Sequence, residues 1–315
     1  MKDYISFKNT RRNFLTQLSL VAGGQIIAMP LFAKSINSNQ NNRSNKAANN
    51  HTDTITVGQI IDSFISEVPG GKLKETVDTL KAGSLDTPVK GIVTAMFATV
   101  EVIKKTIAMG ANFIIAHEPT FYSHQDKTDW LEKDPTYEYK KNLLKDNNIT
   151  VWRCHDYIHR MTPDPVTMGV LTKMGWEDKM INKNPNLIQL SSQTLKDIIF
   201  SLKSKMGVDE LRYIGSLTEQ TNKILFIPGA AGSTTHIAAL KMYKPDVLIC
   251  GEVEEWTTVE YIRDTRSRGE SVSLILLGHI ASEEPSASFM LEWVKERFPA
   301  ITSKHIPAGN SLSFL

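Results

Sequence analysis

The chain has 315 residues, of which 41% are hydrophobic and 22% charged, and it contains two cysteines. This composition excludes the collagen-like, wholly disordered and disulfide-stapled classes of protein. The formal net charge is +2, but the first 52 residues contribute +6 and leave residues 53–315 at about −4, so the body lacks the basic surface typical of a nucleic-acid-binding protein.

The first 34 residues are typical of a secretory signal. The segment TRRNFL, residues 10–15, precedes an apolar stretch from Leu18 to Phe32, and small residues lie near Ala33. The paired arginines resemble the twin-arginine export motif. We therefore expect export to the periplasm or cell envelope, with an ordinary basic signal or an uncleaved anchor as the alternatives. Once the signal is removed, we expect no membrane span in the mature chain.

Residues 35–52 form an asparagine-rich linker. This segment contains seven asparagines and almost no apolar side chains, so it buries too little surface to offset the entropy lost on ordering. Residues 53–315 are long enough for one large or two modest domains with a core of their own.

From residue 53 onward, predicted strands and helices alternate. Short apolar runs predict strands at Thr54–Val57, Gly91–Phe97, Asn112–Ala116, Thr150–Cys154, Leu187–Leu190, Leu211–Leu217, Lys223–Ile227, Asp246–Cys250, Ser271–Leu277 and Ile301–Ile306. Apolar residues at helical spacing predict helices at Ile60–Val68, Thr99–Met109, Tyr137–Leu144, Asp164–Met174, Leu195–Met206, Thr257–Arg268, before Tyr243 and around Phe289–Val294. Such alternation is typical of an α/β protein with a mostly parallel sheet.

The two cysteines, Cys154 and Cys250, each end an apolar run. Two are too few for a secreted scaffold that is held together by disulfides. They are either buried thiols, which is the interpretation we favour, or a single bridge.

Histidine and carboxylate side chains follow three of the predicted strands. They are His117 with Glu118, the segment from His155 to His159, and His279 with Glu283 four residues later. In open α/β sheets, ligands bind beyond the carboxyl ends of the strands. Three imidazoles and two carboxylates exceed what one divalent ion needs and are about right for two ions that share a carboxylate. Each histidine taken alone is more often a hydrogen-bonded core or surface residue, so the prediction rests on the three clusters together.

Four motifs in the same order resemble the Nif-three-like (NGG-interacting-factor-like) family. They are VKGIVTAMFATVEVIKKTIAMGANFIIAHEPTFY at 89–122, PGAAGS at 228–233, DVLICGEVEEW at 246–256 and GHIASEEPS at 278–286. That family has a dinuclear metal centre, and some members are labelled GTP cyclohydrolase I type 2. The resemblance covers essentially all of residues 53–315 and implies mixed, mostly parallel sheets flanked by helices in two interlaced α/β lobes. Lobe one would comprise about residues 53–175 and 280–315, and lobe two about residues 176–279.

The resemblance also implies a ligand set, with two departures from the family. Glu118 stands where the family has a second histidine, and His159 stands where it has an aspartate. Because a histidine and a carboxylate have changed places, the set still contains three histidines and two carboxylates: His117, Glu118, His159, His279 and Glu283. These residues would hold two divalent ions (Zn, Mn or Fe), with Glu283 as the bridge. Asp156 could instead supply the carboxylate, and a decayed site that binds one ion or none is the rival interpretation.

Two functions from different classes follow from this centre. The first is a metal-dependent hydrolase, in which two ions lower the pKa of a shared water and yield hydroxide near neutral pH, with a small phosphorylated or nucleotide-like substrate. The second is a non-catalytic metal-binding or partner-binding assembly protein. The resemblance implies a hexameric homo-oligomer in either case. The catalytic residues stay unknown, because no residue stands out as general acid or base and Trp256 replaces a further family histidine.

Other polar segments have ordinary explanations. Residues 229–233 could hold a phosphate at a helix N-terminus, although a tight turn explains them equally well. Glu252 follows a strand end and suits either a second layer around the centre or a solvated acidic turn. We treat three further histidines as ordinary residues: His124, His236 and His305.

Overall fold

A computed structural model describes residues 54–313, and the predicted signal and linker lie outside this range. The strands are β1 (Leu80–Ala82), β2 (Ile92–Ala95), β3 (Phe113–Ala116), β4 (Thr150–Arg153), β5 (Met180–Ile181), β6 (Asn184–Thr194), β7 (Arg212–Ile214), β8 (Gln220–Ile227), β9 (Val247–Cys250), β10 (Ser273–Leu276) and β11 (Ser303–His305). The α-helices are α1 (Val57–Glu67), α2 (Val100–Ala108), α3 (Pro135–Asp146), α4 (Asp156–His159), α5 (Pro165–Met174), α6 (Leu195–Met206), α7 (Ser233–Tyr243), α8 (Glu260–Ser267), α9 (His279–Glu283) and α10 (Ser286–Arg297). Short 3₁₀ turns lie at Asp129–Leu131 and Glu177–Lys179, and a π-helical turn at Glu255–Val259 precedes α8.

The first sheet has five strands in the order β1–β4–β3–β2–β11. Strands β4, β3, β2 and β11 are parallel, and β1 runs antiparallel to β4 at the edge. The register pairs Ala95 with Ala116 and Ala116 with Arg153, so β2, β3 and β4 end level with one another. Residues that follow these strands therefore meet at one edge of the sheet.

The second sheet has six strands in the order β5–β6–β8–β9–β10–β7. Its central strands β8, β9 and β10 are parallel, while β6 and β7 run antiparallel on either side of them. The register pairs Ile227 with Cys250 and Cys250 with Leu276, so these three strands also end together. The predicted fold class, mixed α/β sheets flanked by helices, is confirmed.

The central strands are buried on both faces, which explains their continuous apolar runs. Every residue of β2, β3 and β9 is buried. Beside the first sheet, Phe64 of α1 packs edge-on against Trp152 of β4 and Trp293 of α10. Burial of one such aromatic side chain stabilises the fold by about 1.5–3 kcal/mol. The sheets are thus rigid supports for the loops at their carboxyl ends.

The start of the described chain differs from the prediction. Residues 54–57 do not form a strand, because Thr56 caps α1: its side chain accepts a hydrogen bond from the Gln59 backbone, and the Gln59 side chain accepts one from the Thr56 backbone. This capping box begins the helix at Val57, and only an isolated bridge joins Thr56 to Pro88. The short strands β1 and β5 were not predicted, and β6 extends beyond the predicted Leu187–Leu190.

Cys154 and Cys250 are both free and buried, in agreement with the thiol interpretation. The first follows β4 in one sheet, and the second ends β9 in the other sheet. Within residues 54–313, no helix combines the length and the apolar character that a membrane span requires.

Candidate metal centre

Four histidines and two buried glutamates converge where strands of both sheets end. They are His117 and Glu118 after β3, His155 and His159 after β4, and His279 with Glu283 on α9 after β10. The structure brings together all five residues of the predicted ligand set and adds His155 to them. The carboxyl-end rule for α/β sheets accounts for this convergence, since parallel strands of matched register end side by side.

His117 is fixed by the backbone of the neighbouring strand. Its Nδ1 lies 3.2 Å from the Cys154 carbonyl oxygen, and its ring stacks on that of His155 at 4.9 Å between centroids. Its Nε2 lies 3.5 Å from Glu283 Oε2 and is one of few buried side-chain nitrogens in the described chain that make no hydrogen bond. An imidazole nitrogen that is buried, unbonded and directed at a carboxylate is well placed to bind a cation.

His155 and His159 are each oriented by an aspartate. The Nδ1 atoms lie 3.0 Å from Asp156 Oδ1 and 3.1 Å from Asp164 Oδ2, respectively, and the two ring centroids are 4.8 Å apart. Asp156 Oδ2 accepts further hydrogen bonds from the side chain of Thr76 and the backbone of residue 77. Both Asp156 oxygens therefore serve other donors, which makes Asp156 an orienting residue, whereas His159 is a candidate ligand.

The third element of the centre is α9, which carries His279 and Glu283 one turn apart. His279 Nε2 lies 3.0 Å from Glu283 Oε2 and 3.3 Å from Glu118 Oε1, while its Nδ1 lies 3.5 Å from Glu252 Oε2. Glu252, which the sequence left between two roles, thus supports His279 from the outer side. The Phe97 ring packs edge-on against the His279 ring at 6.0 Å.

A buried arginine holds the second carboxylate of the centre. Arg153, at 0% exposure, is the last residue of β4, and its Nη2 donates to Glu118 Oε2 over 3.1 Å. Glu118 Oε1 faces the imidazoles instead, 3.7 Å from His155 Nε2. One oxygen of Glu118 is thus bound by the arginine, and the other is directed at the histidines.

The electrostatics favour ionised carboxylates. Burial raises the pKa of Glu118, but the hydrogen bond from His279 and the charge of His117 outweigh it and lower this pKa to about 2. Burial also acts on Glu283, whose pKa is nevertheless held well below its usual range by His117 and His279. Burial lowers the pKa of His155 to about 4 despite the Asp156 hydrogen bond. These carboxylates and the His155 imidazole are in the deprotonated forms that a metal ion requires. Against the effect of burial, Asp164 raises the pKa of His159 to about 9, and the hydrogen bond with Glu118 helps to raise the pKa of His279 to about 12, so a metal ion must displace a proton from these two imidazoles.

The donor set fits a divalent metal ion. Each of the four imidazoles has an acceptor beside its Nδ1, and ligand atoms of two triads lie within 4.8 Å of one another: His117, His155 and His159, and His117, Glu118 and Glu283. Imidazole and carboxylate ligands with oriented second nitrogens are typical of Zn, Mn and Fe sites. The structure therefore contains candidate His/Glu metal-binding groups.

Comparison with known proteins identifies the family. The family model for DUF34/NIF3 (NGG1p interacting factor 3) matches residues 59–308, most of the chain. The chain belongs to the DUF34/NIF3 family. A curated relative named GTP cyclohydrolase 1 type 2 homolog, from Clostridium perfringens, is 28% identical over 253 residues, which cover 75% of this chain and 90% of that protein.

Two solved structures share the fold of this chain. A hypothetical protein of Staphylococcus aureus aligns with a TM-score of 0.65 at 18% identity, over 84% of this chain and 99% of that chain. A Bacillus cereus protein related to NIF3 aligns with a TM-score of 0.64 at 15% identity, over 83% of this chain and 99% of that chain. The family resemblance found in the four sequence motifs is confirmed.

The predicted ligand set of this DUF34/NIF3 chain does not include two histidines that lie near the centre. His155 was omitted from the ligand set although its spacing of four residues from His159 places both side chains on one helical face. His124, treated as an ordinary residue, has its ring centroid 5.8 Å from that of His155. Trp256, which replaces a family histidine, lies on the π-helical turn with 77% of its surface exposed.

The glycine-rich loop at 228–233 has a packing role beside the centre. Gly229 has a φ of +62°, and a Cβ atom there would lie 2.1 Å from Glu283 Oε1. Its backbone N–H donates to Ser282 Oγ over 3.0 Å. Only a glycine fits this contact, so the loop is explained as a tight turn against α9.

Proposed function

We propose that this DUF34/NIF3 protein is an exported, metal-dependent hydrolase whose centre holds two divalent ions, Zn, Mn or Fe. The ligands are His117, Glu118, His155, His159, His279 and Glu283. The observation that supports this proposal is the convergence of four oriented imidazoles on two buried carboxylates. Six donors exceed the three or four that one ion takes and suit two ions.

The chain's own residues prepare this centre for hydrolysis. Divalent ions, when bound, would supply Lewis acidity and activate water. Asp156 and Asp164 fix the ring orientation of their histidines, and Arg153 binds one oxygen of Glu118 and leaves the other directed inward. The name of the Clostridium perfringens relative, GTP cyclohydrolase 1 type 2 homolog, supports a small phosphorylated or nucleotide-like substrate.

The metal content of the purified protein tests the centre. Elemental mass spectrometry of the full chain, after loading and desalting, should find about two ions per chain. The double variant Glu118→Ala/His159→Ala should lose metal, whereas the control Asp178→Ala/Glu292→Ala, which removes two exposed carboxylates, should keep it. Equal metal content in both variants would contradict the proposal.

Turnover decides between an enzyme and a binding protein. The loaded protein is incubated with phosphoesters, nucleotides and amides in the presence of Zn²⁺ or Mn²⁺. Hydrolysis that His279→Ala abolishes is the expected result, since this variant removes a ligand of the centre. A metal-loaded protein that hydrolyses none of these compounds would instead support the non-catalytic metal-binding or partner-binding role.

The export proposal rests on the segment at residues 10–15. Fractionation of cells that express the full chain should place the protein in the periplasm or envelope. The double variant Arg11→Lys/Arg12→Lys should accumulate inside the cell, because the twin-arginine route depends on the arginine pair. Normal export of this variant would rule out that route.

The hexameric state is likewise a proposal from the family resemblance. Light scattering coupled to size-exclusion chromatography should give the mass of about six chains. A monomeric mass at micromolar concentration would contradict it.

A further inference from the structure

The six candidate ligands divide into two chemically different halves. The three-histidine half consists of His117, His155 and His159. The carboxylate half consists of Glu118, His279 and Glu283, whose ligand atoms are joined by distances of 3.0 Å (His279 to Glu283) and 3.3 Å (His279 to Glu118). His117 Nδ1 is occupied by the Cys154 carbonyl, so its one remaining nitrogen can serve only one ion. The division therefore gives each half three donors.

The surroundings of the three-histidine half are negatively charged. Asp156 and Asp164 each accept the Nδ1 proton of a histidine at about 3 Å. A carboxylate behind a ligand imidazole raises its basicity and strengthens its bond to a metal ion. Two of the three ligands in this half have such support.

The carboxylate half faces a fixed positive charge. Arg153 donates from Nη2 to Glu118 Oε2, from Nε to the His117 carbonyl oxygen over 3.2 Å, and from Nη1 to the carbonyl oxygen of His124. These contacts use all three of its nitrogens, and the side chain is fully buried. Because a guanidinium does not lose its proton and this one is held by two backbone carbonyls, it stays charged beside the ligand carboxylate.

No other carboxylate close to Arg153 cancels this charge. Asp126 Oδ2 lies 3.9 Å from Arg153 Nη1, but it is closer to Lys81 Nζ, at 3.1 Å, and both of these side chains are buried. Glu252 supports His279 from the outer side, but more than half of its side chain is exposed, so water and salt screen it. The positive charge of Arg153 therefore offsets the ligand carboxylate of Glu118, so that Glu283 supplies the remaining negative ligand charge of this half.

We propose that Arg153 makes the two halves unequal, so that the three-histidine half takes its divalent ion first and tightly, and the carboxylate half takes a second ion weakly and exchangeably. This inference rests on the proposed metal centre and specifies the order in which it fills. The physical cause is the repulsion between the guanidinium and a dication that binds the same carboxylate, in a buried site where screening is weak. The arginine also leaves Glu118 only one oxygen for an ion.

A stepwise titration of the metal-free full chain with Zn²⁺ tests the order of filling. Isothermal calorimetry should show two phases whose dissociation constants differ by at least tenfold. Dialysis against a moderate chelator, followed by elemental mass spectrometry, should leave about one ion per chain. A parallel titration with Co²⁺ records the visible absorption, which should develop with the first equivalent and respond to His155→Ala.

Four variants assign each phase to its half. His155→Ala should abolish the tight phase, whereas Glu118→Gln, which keeps the shape but removes the charge, should abolish only the weak one. Arg153→Met should tighten the second phase at least tenfold, and Arg153→Lys, which keeps a positive charge, should leave it weak. Arg266→Met is the matched control. It also removes an arginine that pairs with a glutamate, Glu219, but neither residue belongs to the candidate ligand set. Circular dichroism establishes that each variant is folded.

The outcomes separate this inference from the proposed function. A wild-type chain that binds no metal overturns both. Two ions of equal affinity, or loss of the tight phase in Glu118→Gln rather than in His155→Ala, overturn the inference and leave the metal centre intact. If Arg153→Met does not fold, the wild-type titration and the His155 and Glu118 variants decide the order of filling by themselves.

Discussion

His236 is a buried histidine outside the centre. It lies on α7 with no exposed surface, and its Nδ1 is 3.1 Å from Thr258 Oγ1 on the π-helical turn. Burial lowers its pKa to about 4. The folded protein therefore holds this imidazole neutral at pH values where the unfolded chain protonates it.

The consequence is a loss of stability in acid. The unfolded chain binds the extra proton below a pH of about 6.5, so the free energy of unfolding should fall by about 2 kcal/mol between pH 7 and pH 5 from this residue alone. His236→Gln cannot bind this proton and should show a correspondingly smaller fall. Urea unfolding of both proteins at pH 7, 6 and 5 measures the difference, and identical pH profiles would contradict the prediction.

Asp78 organises the loop that carries His155. It is 6% exposed, and its carboxylate accepts three backbone N–H groups, those of His155, Asp156 and Tyr157, at 2.8–3.0 Å. Burial raises the pKa of Asp78 to about 6, opposed by these hydrogen bonds. A single side chain thus fixes the start of α4.

Removal of this carboxylate should destabilise the protein and loosen the centre. Asp78→Ala leaves buried N–H groups without an acceptor, and the free energy of unfolding should fall by about 3 kcal/mol. Retention of metal during dialysis should fall with it, because His155 loses its fixed backbone. Asp86→Ala, at an exposed position, is the control and should change neither quantity. Metal retention that equals that of the wild-type protein in Asp78→Ala would contradict this account.

At the scale of elements, the contact between the 228–233 loop and α9 sets the position of Glu283. The loop approaches the helix so closely that the Glu283 carboxylate occupies the space where a Cβ atom of residue 229 would lie. Gly207, which ends α6, has a similar φ of +70°, but a Cβ atom there would meet no other atom within 4 Å. The two glycines share a backbone conformation and differ in what surrounds them.

This pair gives a matched experiment. Gly207→Ala should cost about 1 kcal/mol of unfolding free energy through backbone strain and leave the metal content unchanged. Gly229→Ala carries the same strain and in addition displaces Glu283, so it should also lose bound metal. Elemental mass spectrometry and urea unfolding of both variants provide the comparison. Equal metal content in the two variants would show that the close contact is unimportant for the centre.

At the scale of the whole molecule, the centre joins the two sheets. Glu118 follows β3 of the first sheet, while His279 and Glu283 follow β10 of the second. An ion that binds all three residues adds a bond between the two sheets, beside the contact of 3.3 Å that already joins His279 to Glu118. Metal binding should therefore stabilise the folded chain as a unit.

Chelation should lower the melting temperature of the loaded protein. An ion present at a hundredfold excess over its dissociation constant stabilises by about 2.7 kcal/mol, which corresponds to about 5 °C for a domain of this size. In His279→Ala the same chelation should produce a smaller shift, because the bond to the second sheet is missing. Calorimetric scans with and without chelator measure both shifts, and equal shifts in the two proteins would contradict this coupling.

The sequence predicted the strand ends because buried parallel strands are continuous apolar runs, and polar residues that interrupt them mark the site edge. It did not predict Thr56 as a helix cap, since the short apolar run at 54–57 resembles a strand until its hydrogen bonds with Gln59 are known. The sequence also did not predict that Arg153 is buried beside the centre. It lies inside an apolar run, and its burial depends on carbonyl oxygens from another loop.

The ligand set was predictable only in part. Residue type and spacing indicate His117, His279 and Glu283, but whether Asp156 or His159 faces the centre depends on which nitrogen or oxygen each turn directs inward. Asp156 accepts a hydrogen bond from the side chain of Thr76, which lies 80 residues earlier in the chain. Long-range partners of this kind leave no periodic pattern in a sequence.

The pairing of β11 with β2 has a consequence for biosynthesis. Residues 303–305 lie beside residues 92–94 in the first sheet, although the whole second sheet is translated between them. While the ribosome is still adding residues, β2 has an open edge, and the nascent first sheet cannot be completed. The first sheet can therefore close only after residues 303–305 have emerged, behind all of the second sheet.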